Sequence, residues 1–286
     1  MIIDDFVIGV NAPTYLIAEM SANHNGSLDN AKKTIISAKN AGANAVKLQT
    51  YTADTLTIKS NRPEFFLKGG LWDGYHLYDL YSEAHTPFEW HAELFQFGRE
   101  NGITIFSTPF DHTAVDLLEE LNAPAFKIAS FEIVDLPLIE RVASCRKPIF
   151  ISTGTASLEE ISTAVNVAKR AGAQEILLFH CISAYPADLK DSILERIKLL
   201  QDRFDVLVGL SDHSIGSDAG FLSVALGAVA IEKHFIADRS IGGVDADFSA
   251  TPHEFFQLRE RVDLAKEMLG ASGSPRPASE KQGRNF

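Results

Sequence analysis

Short apolar runs recur along the chain, with helix-like stretches between them. YLIAEM (15–20), AVKLQT (45–50), TIFSTP (104–109) and AFKIAS (125–130) come first; PIFIST (148–153), EILLFHC (175–181), VLVGLSD (206–212) and VAIEKHF (229–235) follow. Each has the length of a strand buried on both faces, and polar residues gather at or just past its end. Between them, segments such as SLDNAKKTIISAKNAGA, SLEEISTAVNVAKRAGA and TPHEFFQLRERVDLAKEMLG place apolar residues at helical spacing. Ser157 with Glu160 reads as a capping box, and Gly42, Gly102, Gly172 and Gly270 stand where helices should stop. Eight strands alternating with helices predict an α/β fold, a closed (β/α)8 (TIM) barrel over residues 1–270. An open sheet of eight parallel strands would leave edges needing separate cover. The competing open, doubly wound sheet also lacks its fingerprint, because SANHNGS has one glycine where that motif uses three.

Two stretches exceed a minimal barrel. Residues 51–87 form a long insertion after the second strand, rich in aromatics and glycine. A loop of that length is usually functional, although its aromatics could equally pack a satellite cluster. Residues 271–286 lose periodicity and read as a linker or tail.

Composition narrows the function. With 26 basic against 38 acidic residues, the net charge of -12 argues against a nucleic-acid partner, and an anionic substrate would need locally placed cations. Cys145 and Cys181 fit neither a metal spacing nor a disulfide framework, which points to a reducing compartment. MIIDDFVIGV has acids where a signal peptide would be basic, and no apolar run approaches membrane-spanning length. A cytoplasmic protein with no membrane partner is the expectation.

In a barrel of this kind the site lies at the C-terminal ends of the strands. The residues there are Glu19, Lys47, Gln49, Thr108, Lys127, Ser130, Ser152, Thr153, Ser183, Tyr185, Ser211, His213, Glu232 and His234. Strand alternation puts Lys47 with Gln49, and Glu232 with His234, on the inward face; Lys233 has the opposite parity and reads as structural. A lysine inside an apolar run needs a compensating anion. Two such lysines among serine and threonine hydroxyls suit a small, highly charged anion such as a phosphorylated acid. Alternatively, each lysine pairs with an inward carboxylate, Glu19 or Glu132. His213 and His234 end adjacent runs, with Asp212, Glu232 and Asp245 close in sequence, and could hold a divalent metal while leaving positions open. A lone strand-end histidine is also what a hydrogen-bonded structural residue looks like. Glu19, Glu132 and Tyr185 are candidates for proton transfer.

IAEMSANHNG, AVKLQTY, FSTPFD, FKIASFE, ISTGTAS, HCISAYP, GLSDHS and IEKHF occur in that order between about Ile17 and Ser249. Together they resemble the sialic acid synthase family of phosphoenolpyruvate-condensing enzymes. FLKGGLWDGYHLYDLYSEAHTPFEWH looks like its pseudaminic acid synthase branch, with N-acetylneuraminate, legionaminate and spore-coat polysaccharide synthases as relatives. The resemblance implies metal-dependent condensation of phosphoenolpyruvate with an open-chain acetamido hexose, giving a nine-carbon 2-keto sugar acid and phosphate. It implies manganese or magnesium on His213 and His234, and phosphoenolpyruvate on Lys47, Thr108, Lys127, Ser130, Ser152 and Ser211. Glu19, Gln49, Glu132, Tyr185 and Asp245 match positions near the sugar or the metal-bound water. Ser183 stands where neuraminate synthases carry Asn, close to a phosphate contact. The family is expected to be homodimeric, a small antifreeze-like domain of one chain capping the partner's barrel; on this reading the chain lacks that domain. Two other functions remain open from the residues. One is an aldolase-like enzyme using Lys47 or Lys127 as a Schiff base, the other a phosphoenolpyruvate-binding barrel without catalysis.

Overall fold

The computed structural model describes residues 1–270 and Glu280. A hairpin of β1 (Ile2–Ile3) and β2 (Phe6–Val7) precedes eight parallel strands: β3 (Tyr15–Glu19), β4 (Ala45–Thr50), β5 (Thr104–Pro109), β6 (Phe126–Ile128), β7 (Ile149–Ser152), β8 (Ile176–Cys181), β9 (Leu207–Asp212) and β10 (Ala230–His234). These eight close into a barrel in chain order, β10 pairing with β3, so every predicted run is a barrel strand. The helices are α1 (Leu28–Asn40), α2 (Ala53–Leu56), α3 (Leu77–Ala84), α4 (Phe88–Glu100), α5 (His112–Glu120), α6 (Leu136–Ser144), α7 (Leu158–Ala171), α8 (Arg196–Phe204), α9 (Asp218–Ala225) and α10 (Pro252–Leu269). The capping box of Ser157 and Glu160 opens α7, and Gly172 ends it at φ 115°. No helix among the described residues is long and apolar enough to cross a membrane. Apart from Glu280, the tail expected over 271–286 lies outside the described residues.

Alternation along the strands separates two cores. Outward residues such as Val46, Leu48, Ile149 and Ile151 pack against the helices in the larger cluster. Inward residues Tyr15, Ile17, Phe106, Phe150 and Phe179 fill the barrel's lower half. The Phe150 ring centroid lies 5.3 Å from that of Phe106 and 5.6 Å from that of Phe179. This close packing has a tight point at Gly209 on β9. A carbon added there would stand 2.5 Å from the Ala230 carbonyl oxygen and 2.7 Å from the Phe179 ring, so no side chain fits.

The hairpin was not foreseen from the sequence. It closes the barrel's lower end: Ile3 joins the inner core, as does Ile8 just after β2, and Thr104 Oγ1 donates to Asp4 Oδ2 at 2.7 Å. The insertion is also more ordered than one long loop, carrying α2, a 3-10 turn (Pro63–Phe65) and α3.

Candidate active site

Each barrel strand that ends on an inward polar residue delivers it to the same mouth. Lys47 on β4 lies 3.2 Å from Glu19 Oε2 and 3.2 Å from Glu232 Oε1, and donates to Thr108 Oγ1. Lys127 on β6 lies 2.8 Å from Glu232 Oε2, its ammonium 4.5 Å from the centroid of the Phe179 ring below. Gln49 donates to Glu19 Oε1, and Ser211 to Glu232 Oε1. The lysines are therefore inward but not unpaired. Of the two carboxylates anticipated as partners, Glu19 fills that role and Glu132 does not; Glu232 takes its place, bridging both cations. Burial works against each charge in this cluster. For Glu232 the two lysines outweigh it and hold the carboxyl well below the usual range. For Lys127 burial prevails over Glu232 and lowers the ammonium to about 8. Burial likewise raises Glu19, against the pull of Lys47.

Beside the lysines runs an arc of hydroxyls. Ser152 is buried at the end of β7. Ser130 Oγ accepts from the Gly154 N–H at 3.2 Å and faces Cys181 Sγ at 3.5 Å, and Ser183 Oγ lies 3.8 Å from the same sulfur. Gly154 keeps the arc open, since a carbon there would stand 2.3 Å from Ser183 Oγ and 2.8 Å from Ser130 Oγ.

His213, just past β9, and His234, at the end of β10, have ring centroids 5.5 Å apart. His213 Nδ1 meets the Ile182 carbonyl at 2.8 Å and must donate to it, which leaves Nε2 with the lone pair of a neutral ring. Cys181, 3.9 Å from Nδ1, favours the protonated ring against the burial that opposes it, so a proton competes with any cation there. His234 Nδ1 is buried without a hydrogen-bond partner, 3.9 Å from Asp245 Oδ2. Burial, helped by His213 and Lys47, holds His234 neutral. His234 Nδ1 without a partner and His213 Nε2 with only the Ser211 hydroxyl at 3.5 Å fit a divalent cation whose other ligands come from water or substrate. Among the described residues no set of three or more His, Cys, Asp or Glu is arranged to hold an ion. Asp212, a neighbour in sequence, faces away: it pairs with Lys233 at 2.8 Å and accepts from Ser214, which also accounts for Lys233.

The proton-transfer candidates stand around this centre. Glu132, in a 3-10 turn after β6, has a buried Oε2 with no partner, and burial raises its carboxyl to about 7. Tyr185 stacks over His213 with centroids 4.3 Å apart, and burial keeps its phenol protonated. Asp245 accepts from Ser21 Oγ at 2.6 Å and is raised by burial. A cavity of about 280 Å³ opens between this rim and the insertion, lined by Gln49, Glu132 and Asp245 together with Tyr51, Trp72 and Tyr81. The insertion's aromatics form the cluster given as one of its two readings, Tyr51 packing on Tyr81 and Phe110, and Tyr51, Tyr81 and Trp72 also line the cavity.

The sequence pattern of the NeuB family matches residues 34–274. The chain belongs to the NeuB family. It is 44% identical over 93% of its length to the pseudaminic acid synthase of Helicobacter pylori, covering 77% of that protein. It is 35% identical over 94% of its length to the N,N'-diacetyllegionaminic acid synthase of Legionella pneumophila, again covering 77%. The crystal structure of the N-acetylneuraminic acid synthetase of Leptospira borgpetersenii superposes with a TM-score of 0.89 at 32% identity, covering all of this chain and 95% of that one. The likeness to sialic acid synthases read from eight short motifs therefore holds across most of this NeuB-family enzyme.

Four features of the site escaped the sequence reading. Glu232 was placed inward but not recognised as the bridge between the lysines. Ser21 and Trp72 act on a loop more than 170 residues away, a contact that no local pattern encodes. Cys181 was weighed for disulfides and metals only; both cysteines are free, and this one is buried among Ser130, Ser183 and His213. Its place at the end of an apolar run was the available signal.

Proposed function

We propose that this chain joins phosphoenolpyruvate to an open-chain acetamido hexose, making a nine-carbon 2-keto sugar acid of the pseudaminic acid type and inorganic phosphate. The observation that carries the reading is the meeting, at one barrel mouth, of two lysines, an arc of hydroxyls and two histidines beside a half-aromatic cavity. Lys47 and Lys127 bind the carboxylate and phosphate, the incoming anion competing with Glu19 and Glu232 for their ammonium groups. Thr108, Ser130, Ser152, Ser183 and Ser211 donate to the remaining oxygens. His213 and His234 would hold manganese or magnesium, which supplies Lewis-acid polarisation of the sugar aldehyde when bound.

In atoms, C3 of the enol attacks the aldehyde carbon, a water oxygen ends on C2, and phosphate leaves with its C–O bond broken to give the ketone. The water gives up both of its protons, one ending on the new alkoxide and the other on the departing phosphate. Glu132 and Glu19, both raised by burial, Glu132 to about 7, are the groups we assign to carry them. Gln49, Tyr185 and Asp245 orient the sugar.

The test is phosphate release from phosphoenolpyruvate with manganese and a panel of acetamido hexoses, with and without chelator, products read by mass. Chelator-sensitive release with one sugar is the expected result. His213→Ala should then lower turnover by at least about a hundredfold with the circular dichroism unchanged; undiminished release would sink the assignment. The lowered Lys127 favours one competing reading, a Schiff-base aldolase. Borohydride trapping of substrate on Lys127 would establish it, and an unmodified lysine would dismiss it.

A further inference from the structure

We infer that Trp72 is the residue through which the insertion acts on the reaction, its ring serving as a wall of the sugar pocket and its indole N–H fixing the loop that carries Asp245. The inference rests on the proposed condensation and assigns specificity and positioning within that same site.

Three observations lead to it. The segment around Trp72 is a compact turn: Leu67 N–H donates to the Tyr75 carbonyl, Gly74 N–H to that of Leu67 and Tyr75 N–H to that of Trp72. Gly69, Gly70 and Gly74 all have positive φ, so the turn depends on glycine and presents Trp72 at its tip. From that tip the indole reaches across the mouth and donates to the Val244 carbonyl at 2.8 Å, one residue before Asp245. The ring itself faces Tyr185 at 6.0 Å and Phe248 at 6.4 Å, the two aromatics that cover His213 and His234.

The opposite side of the same loop is tied to the barrel. Ser21 holds the Asp245 carboxylate, while Ser249 Oγ donates to the Asp245 carbonyl and itself accepts from Asn23. Asp245 is thus held from the barrel by its own groups and from the insertion by its neighbour. Moving Trp72 moves the loop, and the cavity loses its aromatic wall with the same displacement. The wall also implies what it meets. Leu67, Leu77 and Leu80 line the same cavity as Gln49, Glu132 and Asp245. A fully hydroxylated chain would leave hydroxyls unpaired against the leucines; an N-acyl substituent offers them a methyl and gives the polar groups an amide.

Two variants separate the wall from the tie. Trp72→Phe keeps a ring but removes the donor, and is expected to lower kcat about three- to tenfold with a smaller change in the sugar KM. Trp72→Ala removes both, and the sugar KM should rise by about tenfold or more while the phosphoenolpyruvate KM stays within about twofold. The split between the two substrates is what a general loss of folding would not produce. A sugar KM unchanged in Trp72→Ala, or a phosphoenolpyruvate KM rising equally, would overturn the inference while leaving the condensation intact. A parent protein that releases no phosphate with any sugar would overturn both.

Discussion

Two storeys of the same barrel are built on opposite terms, although only two residues of strand separate them. On β4 and β10, and from just before β6 into it, the inward positions run Ala45 to Lys47, Ala230 to Glu232 and Ala125 to Lys127. The lower storey is apolar and aromatic, Phe150 packing against both Phe106 and Phe179. The upper one buries two cations and two carboxylates, linked by three ion pairs of 3.2 Å or less. Hydrophobic packing below gains free energy without asking for partners; ion pairing above returns little more than its desolvation costs unless every group is matched. The lower storey therefore stabilises the barrel, whereas the upper one is held in readiness to exchange one anion for another.

That contrast can be broken from either side. The largest effect is expected in the lower storey: Phe150→Ala should cost about 3–5 kcal/mol in urea unfolding. The protein that remains folded should keep its substrate KM values within about twofold, and a KM shift as large as the stability loss would erase the distinction between storeys. Glu232→Gln comes next. It leaves Lys47 and Lys127 with one carboxylate between them, at a cost of about 3 kcal/mol, and unlike the phenylalanine change it should also alter phosphoenolpyruvate KM.

The smallest effect concerns Glu132, at the edge of the upper storey, and depends on pH. Its carboxyl is raised to about 7 by burial, so the folded protein binds a proton there that the unfolded chain has already released. The stability this group contributes is fully present below about pH 4.3, its unfolded value, and is lost as pH rises through about 7. Glu132→Gln does not ionise. Its stability relative to the parent should therefore improve by about 1–3 kcal/mol between pH 4.3 and 8, measured by urea titration at both ends; an identical difference at the two pH values would show that Glu132 ionises freely in the fold.

The sequence disclosed the two storeys unequally. Eight strands were legible because each apolar run is short and closes on polar residues, and strand parity alone put Lys47, Gln49, Glu232 and His234 inside. Parity names a face but not a partner, so Glu232 as the bridge and Glu132 as a group without one had to come from the structure. The N-terminal hairpin was missed for a different reason. Its strands are two residues each, too short for any period, and its turn rests on Asp4 at φ 47°, a conformation that no pattern of hydrophobicity records.

Gly209 gives this barrel a gauge. Elsewhere around the wall an inward side chain can be exchanged for another, provided its neighbours give up or take on the difference in volume. At β9 the neighbour is the carbonyl of β10, which has nothing to give. Whatever chemistry selection or a designer writes into the mouth above, the bore beneath it is set at that one bare carbon, and the other inward residues are cut to fit.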